Sequence, residues 1–320
     1  MKTQTLLLSF MLIVQSLQAQ EKIERFFDYS WKLCDPSIAR YYSVKVKQDS
    51  VWHQQDYFIK EKHLQMEGYY TDTTEKIKHG LFMFFHSNGI LKSKGRYDHN
   101  KKEGLWVGYH DNGMMSDSAV YLDDIIVGDA ASWYADGNVQ AEEKMDTIGA
   151  GTGIYIGYFE NEKVSAKGRY SLGMKANGKW NYYRENGQKS ADIVFNMDSI
   201  VSAKCYNEEG IEQSACDIKS RAPEFPGGID ALHKYIEKNT YWPSQFQFKE
   251  DAKAVVVVDF TVDTDGSVKN VSVEQGFHPE FDKIAVIAIK TMPKWKPAMQ
   301  FNRKVPYSYR QAVFFEQTSE

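Results

Sequence analysis

Three aspartates late in the chain have the spacing of an oxygen-ligand cluster for a metal ion. Asp259, Asp263 and Asp265 lie close together in the segment DFTVDTDGS. A calcium loop needs a longer run of oxygen ligands, and the residues after the segment do not continue one. Asp263 and Asp265 instead belong to a turn, where aspartate is common because it bonds to the local backbone. The sequence therefore predicts no metal site.

The histidines offer no catalytic pattern either. The chain has eight of them, scattered along its length: His53, His63, His79, His86, His99, His110, His233 and His278. The chain has no GxSxG, HExxH or Walker loop, and no GxGxxG followed by a helix. We therefore predict that the protein is not an enzyme and needs no cofactor.

The three cysteines allow two interpretations. Cys205 and Cys216 flank the turn-like stretch YNEEGIEQSA, and Cys34 lies far from both. An oxidising compartment would permit a local Cys205–Cys216 disulfide, and three free thiols are the alternative.

The first 19 residues have the layout of a secretory signal peptide. MKTQTLLLSFMLIVQSLQAQ has one lysine, an apolar run from Leu6 to Val14, and small or polar residues around a cleavage point after Ala19 or Gln20. The apolar run is short of the roughly 20 residues that a spanning helix needs. An uncleaved inner-membrane anchor is the alternative. The net charge of −4 gives no reason to expect a nucleic-acid partner.

The middle of the chain is a repeat. Five glycines, spaced by 24, 24, 25 and 25 residues, begin similar units, and each has an aromatic residue five positions later. The glycines are Gly80, Gly104, Gly128, Gly153 and Gly178. Asn-Gly or Asp-Gly closes four of the five units, which is typical of tight hairpin turns. We therefore predict an all-β array of stacked hairpins over residues 56–204, in which each repeat is one hairpin.

Some details of the array are less regular. The fourth unit has Glu162 where the turn glycine belongs, so we expect an irregular hairpin there. The aromatic stripe either packs repeat on repeat or binds glycan or peptide. Residues 20–55 are predicted to form a cap, with a helical turn near Pro36 and a strand over 41–47. Residues 205–222 are predicted to be a linker.

The glycine, aromatic and Asn-Gly marks resemble MORN-type repeats, in the variant of YwqK-like antitoxin proteins. The resemblance covers residues 56–204. It implies a scaffold, a spacer or a partner-binding surface.

The chain changes character at PEFPGG, Pro223 to Gly228, because seven of its eight prolines lie at or after this point. Helical spacing in IDALHKYIEKN and PEFDKIAVIAIKTM predicts two helices, and KAVVVVDFTV, VKNVSVEQG and VPYSYRQAVFF predict three strands. In KAVVVVDFTV both faces are apolar, so we expect this strand to be covered on both sides. The order α-β-β-α-β predicts an α+β domain over residues 223–320, with two helices on a small antiparallel sheet.

Five segments of this domain, PEFPGG, ALHKYI, VVVDFTVDTDGSV, HPEFDKIAV and MPKWKPA, resemble in order the C-terminal domain of TonB-type energy transducers. The resemblance implies a domain that grasps a segment of TonB-dependent outer-membrane receptors and transmits force from inner-membrane motor proteins of the ExbB/ExbD type. It also implies that the receptor segment adds as a β-strand to a sheet edge.

The last predicted strand, from Lys304 to Phe315, is the edge where we expect the receptor strand to pair. Its proposed pairing residues are Lys304, Val305, Tyr307, Tyr309, Gln311 and Val313. Nearby basic residues either steer acidic receptor segments or form an ordinary solvated face: Lys294, Lys296, Arg303, Lys304 and Arg310. A homodimer through the same strand is a further expectation.

The leading prediction is a periplasmic TonB-type protein that binds outer-membrane receptors by strand addition and supports energy-coupled transport. The alternative is a non-transducing envelope scaffold, or an antitoxin-like protein, that acts through its repeats.

Overall fold

A computed structural model of the protein describes residues 21–317, apart from 73, 75 and 247–252. The predicted signal segment, residues 1–19, lies outside the described residues. No helix in the described part is long and apolar enough to cross a membrane.

Sixteen strands form one antiparallel sheet in which every strand pairs with its neighbours along the chain. They are β1 (Lys22–Phe27), β2 (Tyr41–Gln48), β3 (Val51–Phe58), β4 (Leu64–Tyr70), β5 (Gly80–Phe85), β6 (Leu91–Asp98), β7 (Lys101–Tyr109), β8 (Met115–Leu122), β9 (Ile125–Trp133), β10 (Val139–Met145), β11 (Gly153–Tyr158), β12 (Val164–Ser171), β13 (Lys175–Tyr183), β14 (Lys189–Asn196), β15 (Ser199–Tyr206) and β16 (Glu212–Gln213). The predicted all-β hairpin array is confirmed, and the sheet extends beyond 56–204 at both ends.

The segments expected to flank the array also belong to the sheet. Strands β1 and β2, and most of β3, lie in the predicted cap, with the predicted helical turn at Pro36–Ile38. In the predicted linker, β16 pairs with the end of β15. Cys205 and Cys216 form a disulfide in the structure, with their Cα atoms 5.1 Å apart. The connector to the C-terminal domain is therefore joined covalently to the last long strand.

The Asn-Gly turns follow one hydrogen-bonding scheme. In the first, the N–H of His86 donates to Ile90 and that of Gly89 donates back to His86, and Gly89 has a φ of 84° that suits glycine. The fourth unit was expected to be irregular, and that expectation is wrong. The N–H of Phe159 donates to Lys163 and that of Glu162 to Phe159, so Glu162 adopts the left-handed conformation with a φ of 63°.

Side chains of these turns join each repeat to the next. Asn88 Nδ2 donates to the carbonyl of Asp111 at 2.8 Å, and Asn112 Nδ2 donates to Ala135 at 2.8 Å. Asn161 and Asn186 repeat this bond further along, and in the third turn Asn138, which follows Gly137, makes it instead of Asp136. The asparagine of the motif therefore serves two purposes, because it permits the turn and also fixes the spacing between turns.

Aromatic rings run along one face of the array and pack repeat on repeat. The Trp106 ring contacts Tyr97 at a centroid distance of 4.9 Å, and Tyr97 contacts Phe82 at 5.1 Å. The indole of Trp106 lies against Gly95, where an added Cβ would come within 2.1 Å of the ring. Gly168 and Trp180 repeat this arrangement. The glycine of KGRY thus makes room for the tryptophan of the next strand.

The C-terminal domain has the predicted α+β order with one added hairpin. Its elements are α1 (Gly228–Asn239), β17 (Lys253–Val262), β18 (Val268–Gln275), α2 (Pro279–Lys290), β19 (Ala298–Gln300), β20 (Arg303–Val305) and β21 (Tyr307–Glu316). The three long strands form an antiparallel sheet in the order β18-β17-β21, and β19 pairs with β20.

The core of this domain lies between the helices and one face of the sheet. Alternate β17 residues from Ala254 to Val262 point into it and are at most 2% exposed. Phe281 of α2 is fully buried and contacts Phe315 of β21 at a centroid distance of 5.1 Å. On α1, Leu232 and Ile236 are buried, whereas Ile229 is 55% exposed.

Candidate functional site: the edge strand and its surroundings

The last strand is an edge of the small sheet. Within the described residues, β17 is the one strand that pairs with β21, from Lys253↔Glu316 to Val262↔Tyr307. The other side of β21 therefore lacks a paired strand in the described part of the chain. An unpaired edge presents backbone N–H and C=O groups that can bind another extended chain.

Four of the six predicted pairing residues lie on this strand. Tyr307, Tyr309, Gln311 and Val313 occupy alternate positions of β21 opposite the core-facing residues of β17. Val313 is fully buried, and Tyr309 stacks on Phe260 at 5.3 Å.

The placement of Lys304 and Val305 on the edge strand is wrong. Both belong to β20, which pairs with β19 through Ala298↔Val305 and Met299↔Lys304. Pro306 separates this short strand from β21, because proline has no N–H to continue a ladder.

On the second face of the small sheet, the array covers part of the central strand β17. Val255 and Val257 of β17 point away from the helices, yet they are only 7% and 6% exposed. Arg40, which precedes β2, donates to the carbonyls of Val255 and Gly276. The expectation that this strand is covered on both sides is thus confirmed.

Ion pairs extend the contact between the array and the C-terminal domain. Lys60 Nζ lies 2.9 Å from Asp282 Oδ2, and Lys92 Nζ lies 3.2 Å from Glu274 Oε1. Both lysines belong to the first half of the array. Helix α2 and strand β18 are therefore both held against the first half of the array.

The β19–β20 hairpin contacts the opposite end of the array. Phe301, at its tip, packs on Tyr182 with ring centroids 4.3 Å apart. Arg303 is only 7% exposed, and its guanidinium donates to the carbonyls of Ser165 and Tyr183. Burial lowers the pKa of Arg303 to about 10. The domain thus contacts both ends of the array.

Arg303 is therefore not a surface residue that could steer a partner, and that prediction is wrong. Three other predicted basic residues have acidic partners. Lys294 pairs with Asp265 at 2.7 Å, Lys296 with Glu224 at 3.4 Å, and Arg310 with Asp259 at 2.6 Å. Lys304 is exposed.

These ion pairs also explain the aspartates that looked like a metal cluster. Hydrogen bonds from Lys294 and Ser267 hold the pKa of Asp265 well below its usual range. Asp263 pairs with Lys269, and Asp259 pairs with Arg310. Each carboxylate has its own cation and the three face different partners, so the geometry gives them structural roles.

Two residues near the edge were missed at the sequence level. Phe314, on the β21 face that is turned away from the helices, is 51% exposed. Its ring contacts Tyr29, in the β1–β2 connection, at a centroid distance of 6.0 Å. The position of Phe314 could be inferred from strand alternation, but Tyr29 lies too far away in sequence.

Comparison with protein-family models gives two matches. Residues 245–316 match the Gram-negative bacterial TonB protein C-terminal model, and residues 78–99 match a MORN repeat variant. The first match contains β17 to β21 and leaves α1 outside. The chain thus carries a TonB-type C-terminal domain behind MORN-type repeats. A search of the curated proteins found no match.

Domains of this TonB-type family are non-enzymatic and are connected with transport. Proteins of the family are associated with the cell envelope, and the family in general implies interaction with outer-membrane receptors.

Proposed function

We propose that the protein binds TonB-dependent outer-membrane receptors in the periplasm by adding a receptor strand to the outer edge of β21, and so supports energy-coupled transport. One observation carries the proposal. The helices cover one face of the small sheet and the array covers part of β17 on the other, while β21 keeps an edge with no paired strand in the described chain.

The chemistry of the edge suits an extended peptide. Backbone pairing supplies binding energy, and alternate side chains supply specificity. Tyr307 and Phe314 lie near the two ends of β21 and are 40% and 51% exposed. A strand laid along this edge would meet apolar rings at both ends. Because most of the predicted basic residues are already paired within the chain, we assign electrostatic steering a minor role.

Site-specific photocrosslinking tests this proposal on the full-length chain. A photoreactive phenylalanine replaces Tyr307 in one variant and Phe314 in another. The matched control replaces Tyr241, an aromatic residue that follows α1, is not part of β21 and is 67% exposed. In cells, we expect crosslinks to outer-membrane receptors from the two edge positions and none from the control.

Three other results decide against the proposal. Equal receptor crosslinking from Tyr241 would place the contact elsewhere on the domain. Crosslinks from the edge to a second copy of the chain would favour the homodimer. No crosslinks from either edge position, when the variants are folded and exported, would remove β21 as the binding edge.

A link to inner-membrane motor proteins of the ExbB/ExbD type is a separate part of the proposal. It requires an N-terminal segment that stays in the inner membrane. Size analysis of the exported protein distinguishes the two forms, because cleavage after residue 19 releases the chain and intact residues 1–19 retain it.

The second candidate is an envelope scaffold that acts through the array. Its support is an apolar pair on the array face opposite Trp106, where Leu105 is paired with Val120 across β7 and β8. Leu105 is 59% exposed and Val120 is 39% exposed. A photoreactive residue at Leu105 tests it. Envelope partners crosslinked there, with none at β21, would favour the scaffold.

A further inference from the structure

The first full repeat brings His79, at its start, next to the consecutive residues Asp98 and His99, at its end. The β5–β6 ladder ends with Gly80 opposite Tyr97. The next positions along the two strands are His79 and Asp98, which therefore face each other. His99 follows Asp98 in the turn to β7.

The three side chains converge on one point. His79 Nδ1 lies 3.2 Å from Asp98 Oδ1, and His99 Nδ1 lies 2.6 Å from the same oxygen. One ligand atom from each residue falls within 4.8 Å of the others. The two imidazole rings pack edge to face with centroids 5.4 Å apart. His79 Nδ1 is shielded from solvent, and its 3.2 Å contact with Asp98 Oδ1 is not aligned as a hydrogen bond.

The backbone holds these residues in place. His99 and Asn100 form the turn in the left-handed conformation, with φ angles of 47° and 74°. Asn100 binds the strand that leads to His79 in three ways. Its N–H donates to the Lys78 carbonyl at 3.0 Å, its Oδ1 accepts from the Lys78 N–H at 2.8 Å, and its Nδ2 donates to Lys76 at 2.6 Å. The segments that carry the two histidines are thus tied together before any ligand binds.

We propose that His79, Asp98 and His99 form a binding site for a divalent transition-metal ion of the Zn²⁺ class. Two imidazoles and a carboxylate are a common donor set for such ions. Tetrahedral Zn²⁺ with bonds of about 2.0–2.1 Å places its ligand atoms roughly 3.3 Å apart. The His79–Asp98 distance already fits, and the His99–Asp98 distance must open slightly.

The site can open because its side chains are accessible. The side chains of His79, Asp98 and His99 are 44%, 62% and 70% exposed. Three protein ligands leave the fourth tetrahedral position to water or to a group from a partner molecule. A bound ion would fasten the start of β5 to the β6–β7 turn, at the rim of the array. This site does not depend on the strand-addition function.

Zn²⁺ titration of the untagged, metal-free protein tests the proposal. Calorimetry with a competing chelator measures affinity and stoichiometry, and Co²⁺ absorption reports the coordination geometry. The variants are Asp98→Asn, which removes the carboxylate charge, and His99→Asn, because asparagine tolerates the left-handed conformation of residue 99. The control is His233→Ala, an exposed histidine on α1.

We expect the parent and His233→Ala to bind one ion per chain. We expect Asp98→Asn and His99→Asn to bind at least about tenfold more weakly. Thermal unfolding adds a second readout, since Zn²⁺ should raise the Tm of the parent but not that of His99→Asn. No saturable binding by the parent, or unchanged affinity in both site variants, would overturn the proposal.

Discussion

The array and the C-terminal domain of this protein are held together by different kinds of contact. In the array each strand pairs with its sequence neighbours, and asparagine bonds join turns about one repeat apart, as between Asn88 and Asp111. In the C-terminal domain β17 pairs with β21, across α2 and a hairpin, and the core collects residues from both helices and all three long strands.

Because of this difference, we expect mutations in the two regions to reduce stability in different ways. A repeat array is stabilised by nearest-neighbour terms, so a defect in one repeat stays local. A domain with a single core loses most of its stability when one large core side chain is removed. The contacts of Arg40 and Arg303 between the two regions then determine how strongly a destabilising mutation in one region affects the stability of the other.

The largest effect is expected in the single core. Phe281→Ala removes a fully buried ring that contacts Phe277 and Phe315. It should lower the free energy of unfolding by about 3–5 kcal/mol, as measured by urea denaturation. Ile287→Ala is the control on the same helix, since Ile287 is 50% exposed and should change stability by less than about 0.5 kcal/mol. Equal losses in both variants would mean that the core is wrongly assigned.

The interface should show the next largest effect. Arg303→Ala leaves the Ser165 and Tyr183 carbonyls without their buried donor. The expected cost is about 2–4 kcal/mol, and unfolding should separate into two transitions as the regions uncouple. Lys304→Ala, at the next residue, removes an exposed side chain and should leave one transition. A single unchanged transition in Arg303→Ala would show that the interface does not couple the regions.

A defect inside one repeat should cost less and stay local. Gly95→Ala forces a methyl group against the Trp106 ring and should cost about 1–3 kcal/mol. The cost should nearly vanish in a Trp106→Ala background, because the clashing ring is gone. Hydrogen exchange in β17 should not change. Faster exchange there would contradict the local character of the array.

The smallest expected effect is a gain in stability. Glu162 holds a left-handed conformation in a turn that glycine closes in the other units. Glu162→Gly should stabilise the protein by about 0.5–1 kcal/mol, because glycine adopts this conformation without strain. Thermal unfolding measures the gain. Asn161→Gly is the contrasting change and should destabilise, since it removes the 3.0 Å bond to the Glu185 carbonyl.

The elements of both regions could be predicted from the sequence because their signals are local. The spacing of the glycines and the Asn-Gly pairs located the hairpins, and apolar periodicity located α1, α2 and the long strands. The prediction of an irregular turn at Glu162 was wrong for a physical reason. The hydrogen bonds on either side of the turn hold its shape, so a non-glycine residue is pulled into the left-handed conformation.

The site was predicted only in part. Tyr307, Tyr309, Gln311 and Val313 lie on the edge strand, but Lys304 and Val305 belong to a separate hairpin. Alternation along the sequence does not reveal that a proline divides the two strands. It also gives no sign that Arg303 is buried against the array.

The sequence by itself determined the strands, the turns and the two helices, and it showed the resemblance to MORN-type repeats and to a TonB-type domain. These features depend on short-range spacing and local turn chemistry. The tertiary structure alone decided that the array covers part of β17 on the second face of the small sheet, that β21 keeps an unpaired edge in the described chain, and that the His79 ring packs against the His99 ring. These depend on contacts between residues far apart in sequence, and no local pattern fixes which distant surfaces will meet.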